Sequence, residues 1–432
     1  MTAAVAVAFC VGLAALFGGC AGRDGRDGAS AADINIYDIY EAVKAESGND
    51  QLTFLEFLKE YLTYTPSEIE EAVSLQAAIN RSLLSGVSVR ASFVENSGGL
   101  YNAVYNGSGV IIDVDRELGN MLIVTNCHVV YSAKAVFMAQ DGFCDDIGVW
   151  LYGSEYSEKG EIKAEIMGAS RQYDLALLKV ENSDIVKNSK AQAAVWAGGE
   201  EVYMGERVYA VGNAGGDKMS ATDGIISKDN ETVTVDLGGG QPYNYHVLRT
   251  TAFINAGNSG GGLFNMSGSL SGIVNAKGRD DAVGVGYALP AANAKRVVKN
   301  LTAAYNRNGG EVHGAYLARH GLTLGVEDSY STGLNKDGFV EMREIVKISL
   351  ISPVSVYLGS LEAGDRLKHV KVIRPLDGGP YVVEDMEILR EHNFYDAMLS
   401  VEEGDIAEIT VWRGGEEKTF SHTFGNGDFS VV

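Results

Sequence analysis

The chain has 432 residues, 46% of them hydrophobic, which is enough to build more than one core. Only 6 are Pro, and little of the sequence is low in complexity, so extended disorder is not expected. The net charge of −22 gives an acidic surface that repels phosphate backbones and argues against a nucleic-acid partner.

The chain begins with 22 residues that carry no charged side chain, a short apolar run ahead of small residues that reads as an export signal. Leu16-Phe17-Gly18-Gly19-Cys20 resembles a bacterial lipobox. That makes residues 1–20 the expected signal peptide and Cys20 the expected site of lipidation, tethering the protein outside the cytoplasm at the bacterial membrane. An uncleaved membrane anchor is the alternative, because the run is nearly long enough to span. Residues 21–32, with Gly22, Gly25 and Gly28 at every third place, read as a flexible tether. Residues 33–86 carry helical spacing: Ile36, Ile39, Tyr40 and Val43 share one face, and Phe54, Leu55, Leu58, Tyr61 and Leu62 another.

From Val87 the period shortens to two. Runs such as Ser88–Val94, Gly109–Asp113 and Leu122–Thr125, with Gly, Asn and Asp turns between them, predict a sandwich or barrel over 87–305. A helix-like segment from Ala291 to Tyr305 ends this region. Past the polar stretch 306–310, a mixed α/β unit is expected over 316–425. Cys127 and Cys144 remain, either as a disulfide or as two thiols; spacing alone does not decide.

Three segments supply the parts of nucleophilic catalysis. A serine hydroxyl needs an imidazole to take its proton, a carboxylate to orient that imidazole, and N–H groups for the oxyanion. Asn126-Cys127-His128-Val129 ends an apolar strand on a histidine, Tyr173-Asp174-Leu175 sets an acid just before another, and Gly257-Asn258-Ser259-Gly260-Gly261 holds a serine among glycines. The order His128, Asp174, Ser259 is that of double-barrel proteases, unlike subtilisin-type or α/β-hydrolase chains. This chemistry needs no metal and no cofactor.

These segments, with Gly107-Ser108-Gly109, Thr222-Asp223-Gly224 and Gly286-Tyr287-Ala288-Leu289-Pro290, resemble the signature segments of HtrA/DegP-like serine proteases across about 87–301. The resemblance implies a mainly β protein: a chymotrypsin-like double antiparallel β-barrel, with the helical segment before it and a PDZ-like α+β domain after it. It assigns His128 as general base, Asp174 as its orienter and Ser259 as nucleophile, with Gly257, Asn258 and Ser259 forming the oxyanion hole. Phe253, six residues before the nucleophile, would lie at the base of the substrate pocket, with Asn275 and Tyr287 beside it. An apolar Phe253 suits cleavage after small or medium aliphatic residues. Gly262 stands where the family usually has proline, which would leave the loop after Ser259 less braced.

Ser352–Asp365 and Glu403-Gly404-Asp405 resemble the Gly-Asp segments of protease-associated PDZ domains, and Leu322–Val326 their carboxylate-binding loop, with an unrelated α+β domain as the alternative. A PDZ groove takes peptide C-termini as an added strand. The expected partners are therefore polypeptide substrates, peptide C-termini, the membrane through the N-terminus and, as in many family members, two further copies in a homotrimer. The competing function is a surface PDZ scaffold or chaperone with regulated or lost proteolysis.

Overall fold

The computed structural model describes Lys44 and residues 75–431, less 137–141, 199–201, 236, 238–242, 278–283, 312, 335–337, 339 and 377. Cys20, the expected signal and tether, and most of the expected 33–86 helical segment lie outside the described residues. The end of that segment is the helix Leu75–Leu83, with Ala78 and Leu83 buried. No helix among the described residues is long and apolar enough to cross a membrane.

Two β units follow. The first is an antiparallel system of β1 (Gly86–Asn96), β2 (Leu100–Asp115), β3 (Asn120–Thr125), β4 (Asp146–Leu151), β5 (Ile162–Lys163), β6 (Glu165–Ser170) and β7 (Leu175–Val180), in the order β6-β7-β3-β2-β1-β4-β5. Its alternation is that of a curled sheet. Val87, Val89, Ala91 and Phe93 of β1 turn inward to meet Ile111, Ile123, Val149 and Leu178 in a core that excludes water. Each buried aliphatic side chain of this kind contributes about 1.5–3 kcal/mol. Glu95, at the far end of β1, is buried too. Its carboxylate accepts hydrogen bonds from Tyr101 (2.5 Å), Tyr105 (2.6 Å) and Ser132 (2.6 Å), which tie the β1–β2 hairpin to the segment after His128.

The second unit closes into a barrel of six strands: β8 (Arg207–Gly212), β9 (Ser220–Val235), β10 (Tyr243–Thr250), β11 (Gly262–Asn265), β12 (Leu270–Lys277) and β13 (Gly286–Pro290). Val208, Ile226, Leu248, Leu263 and Val274 fill it. The expected closing helix runs Ala291–Arg307 and packs against both units. The short strand β14 (His313–Gly314) then adds to β6 in parallel, so the first sheet still holds the chain at that point.

The third unit contains β15 (Tyr316–Ala318), β16 (Leu322–Leu334), β17 (Val340–Ile351), β18 (Arg366–Arg374), β19 (Tyr381–Glu387), the helix Glu391–Met398, β20 (Ile406–Arg413) and β21 (Glu416–Thr423). A last strand, β22 (Phe429–Val431), pairs with β15; it falls beyond the expected boundary at 425. The two Gly-Asp turns have a physical purpose. Asp365 and Asp405 are buried, each accepts a backbone N–H from three residues before it, and each takes a two-pronged contact from an arginine, Arg413 and Arg374 respectively. Paired guanidinium and carboxylate groups of this geometry tolerate burial that a lone charge would not.

Candidate active site

The pairing of β3 with β7 sets Thr125 opposite Ala176, so the residues just after β3 meet the residue just before β7. His128 rides the short helical turn Cys127–Val130, and Asp174 precedes Leu175 with φ +47, a left-handed conformation that costs energy for a non-glycine residue. Their side chains join: His128 Nδ1 and Asp174 Oδ2 are 2.6 Å apart, and the backbone N–H of His128 donates to Asp174 Oδ1 at 2.9 Å. Asn126, fully buried, holds the Asp174 carbonyl from Nδ2 at 2.8 Å. Burial pushes the His128 pKa down, but the charge and hydrogen bond of Asp174 outweigh it, and the net value lies above the usual 6.5. Cys127, next to His128, and Cys144 are both free and buried in the first core, which settles their pairing; burial raises both thiol pKa values, that of Cys144 to about 12.

The Ser259 loop lies between β10 and β11 and is held by groups from both β units. Ser108 N–H, from β2, donates to Ser259 O at 2.8 Å. The buried Ser108 Oγ donates to Gly257 O at 2.6 Å and accepts the Asn213 N–H at 2.7 Å. The Ala256 carbonyl accepts the Gly215 N–H at 2.7 Å, which fixes the plane of the Ala256–Gly257 peptide and turns the Gly257 N–H the other way. Gly257 has φ +94, and a Cβ there would stand 2.2 Å from Asn213 O, so only glycine fits. Among the described residues, neither the Gly257 N–H nor the Ser259 N–H donates to another group, and Ser259 Oγ makes no hydrogen bond. Asn258 is buried with its Oδ1 unpartnered. Gly262, expected to loosen this loop, begins β11, where a Cβ would lie 2.3 Å from the Phe264 ring, so glycine fits there for want of room.

The structure therefore joins His128 to Asp174 and sets Ser259 in a clamped loop with two unclaimed N–H groups. It treats the expected pocket residues differently. Phe253 is half exposed, its carbonyl held by Thr222 Oγ1 at 2.9 Å. Tyr287 sits on β13 opposite Arg249. Asn275 is buried and donates from Nδ2 to Asp174 Oδ2 at 3.1 Å, so its amide serves the carboxylate. Sequence reading missed the supports Ser108, Asn126 and Asn213. The Gly-Ser-Gly at 107–109 was the one available signal, since small residues flanking a buried hydroxyl permit close approach of another chain segment. Ser108→Ala is expected to strand the Gly257 carbonyl and the Asn213 N–H and to release the Gly257 peptide. A lost oxyanion donor costs about 10²–10³ in turnover, so kcat should fall by up to about 10²-fold with KM little changed. Steady-state kinetics on a chromogenic peptide would check it; an unaltered kcat would mean the clamp does not position this loop.

The comparisons with known proteins agree with this geometry. A trypsin-like peptidase domain matches residues 107–273. The chain is 29% identical over 358 residues to the serine protease Do-like HtrA of Bacillus subtilis, covering 80% of this chain and 68% of that one. It is 32% identical over 200 residues to the periplasmic serine endoprotease DegP of Escherichia coli, covering 46% of this chain and 35% of the relative. Among solved structures, the HtrA-type protease AlgW with a decapeptide aligns with a TM-score of 0.51 at 21% identity, over 82% of this chain and 98% of that one.

Proposed function

The chain belongs to the HtrA/DegP-like serine proteases of trypsin-like fold, and on that premise we propose that it cleaves misfolded or exposed protein segments through a triad of His128, Asp174 and Ser259. It is a serine endopeptidase acting on polypeptides. The observation that carries the triad is the 2.6 Å contact between His128 Nδ1 and Asp174 Oδ2. With Nδ1–H engaged there, Nε2 keeps its lone pair for the proton of Ser259. Ser259 Oγ then attacks the peptide carbonyl, and the negative oxygen so formed takes the N–H groups of Gly257 and Ser259, with Asn258 between them. Collapse expels the amine, which leaves with the proton carried by His128, and water releases the acyl group by the same route.

The expected substrate pocket, with Phe253 at its base and Tyr287 beside it, would favour small or medium aliphatic side chains before the cut. The third unit is read as PDZ-like: β16 is an edge strand of its sheet, and the helix Glu391–Met398 lies beside it, the arrangement a peptide C-terminus needs in order to add a strand. In this state the Leu324 N–H donates to Tyr395 Oη at 3.1 Å, so an incoming strand would first displace that tyrosine. Export fits the periplasmic relatives, and lipidation at Cys20 and assembly as a trimer complete the proposal.

Treatment with a fluorophosphonate should label one residue. Peptide mapping is expected to place the label on Ser259, and the label should disappear after His128→Ala. A label elsewhere, or one that survives that substitution, would refute the assignment.

A further inference from the structure

Away from Ser259, the barrel and the third unit meet around three side chains the catalytic reading does not use. His246 comes from β10, and His392 and Asp396 come from the helix Glu391–Met398, one turn apart and so on one face. One ligating atom from each lies within 4.8 Å of the other two. They border a cavity of about 490 Å³ between the two units.

The hydrogen bonds around this cluster leave one ring nitrogen of each histidine buried without a partner. His246 Nε2 is 2.9 Å from the Asp229 carbonyl, an acceptor only, so Nε2 carries a proton, and in the neutral ring Nδ1 is the nitrogen free to ligate. That Nδ1 is buried with no hydrogen-bond partner, on a side chain only 9% exposed. It faces Asp396 Oδ2 at 3.6 Å, beyond the reach of a hydrogen bond. The other oxygen of Asp396 accepts Asn293 Nδ2 at 2.7 Å, which aims Oδ2 at the gap. His392 Nδ1 is likewise buried and unpartnered, while its Nε2 takes only a long 3.4 Å contact from Asn393.

We propose that His246, His392 and Asp396 bind a divalent transition metal of the zinc class that pins the third unit to the barrel. A tetrahedral ion with ligands at about 2.0–2.1 Å separates neighbouring donor atoms by roughly 3.4 Å, close to the His246–Asp396 spacing. Two imidazoles and one carboxylate form a donor set suited to zinc, with a fourth position for water. The supports resemble those that metal sites carry: a carbonyl holds the far nitrogen of His246, and an amide holds the far oxygen of Asp396. The two imidazoles stack with centroids 4.0 Å apart and 21° between their planes, so binding through His392 Nδ1 turns that ring out of the stack, moves its proton to Nε2 and gives up the long Asn393 contact. The neighbouring cations do not compete, because Arg296 pairs with Glu384 at 3.1 Å and Arg390 with Asp229 at 3.1 Å. The helix that would bind the metal also carries Tyr395, which bonds to the β16 edge. Metal binding would therefore link the proposed peptide groove to the barrel.

The test uses full-length, tag-free protein stripped with chelator, loaded with zinc and passed through gel filtration. One zinc per chain should be retained. His246→Ala and Asp396→Asn should each weaken binding at least about 100-fold in competition with a chromophoric chelator, and Asn293→Ala about 10–100-fold. X-ray absorption on the loaded protein should show only N/O ligands, two of them imidazole. Circular dichroism would check that the ligand variants fold, and if they do not, the Asn293→Ala affinity and the absorption spectrum decide. Zinc not retained, sulfur ligation from Cys127 or Cys144, or unchanged affinity in the folded variants would overturn the proposal.

Discussion

Ser259→Ala is expected to lower kcat on an unfolded protein or peptide substrate by about 10⁴–10⁶-fold while leaving the melting temperature unchanged. The first half follows from the chemistry, because alanine removes the hydroxyl that the proposed mechanism uses as nucleophile. The second half follows from the contacts. Among the described residues Ser259 Oγ makes no hydrogen bond, whereas the groups that hold the loop are the Ser259 carbonyl, the Gly257 carbonyl and the Ala256 carbonyl. Alanine keeps all three. Casein hydrolysis and calorimetry on the same preparation would measure both, and wild-type activity in the Ser259→Ala enzyme would end the protease assignment to this loop.

Asp174→Asn should be nearly as damaging, at about 10⁴-fold in kcat, for a different reason. The carboxylate accepts three donors: His128 N–H, His128 Nδ1–H and Asn275 Nδ2. A carboxamide has one acceptor oxygen and one donor nitrogen, so it cannot satisfy all three. The relief available is for its NH₂ to donate to His128 Nδ1, which moves the ring proton to Nε2, where it blocks proton transfer from Ser259. The pH profile adds a signature. In the wild type, His128 titrates above its usual 6.5 because Asp174 outweighs burial, and the base works only when deprotonated. The acid limb of kcat/KM should therefore lie above pH 6.5, with activity gained as pH rises. In the Asn variant burial remains and the carboxylate charge is gone, so the limb should move to lower pH. A limb that stays in place would show that His128 is not the titrating base.

Much of this site could be read from the residues in order. The histidine ending an apolar strand, the acid preceding another and the serine among glycines are local patterns, and strand pairing brings the first two together without further help. What stayed hidden depends on contacts between distant segments. Asn275 is the clearest case. Alternation along β12 would assign its direction, but the pairing with β13 slips between Val274 and Ala276, and a slip of one residue changes the face to which a side chain turns. Its place on Asp174 followed from that irregularity, which no spacing rule reveals. Gly262 shows the same limit: a glycine can mean freedom or lack of room, and only the Phe264 ring beside it decides. A β region followed by a mixed unit was visible from periodicity, but the division of that region into two units came only with the resemblance; strand β22 was not visible, because three residues are too few to show a period.

The clamp built by Ser108 has a consequence for the order in which the protein acquires its properties. His128 and Asp174 belong to the first unit, Ser259 and Asn213 to the second, and Ser108 reaches from one to the other. On the proposed assignment, a chain that has folded only its earlier half has the base without the nucleophile, and an undocked second half has a serine loop without the Ser108 clamp. Domains tend to fold in the order in which they are made. With the proposed triad, cutting power is then the last property the chain gains, after both halves have closed on each other.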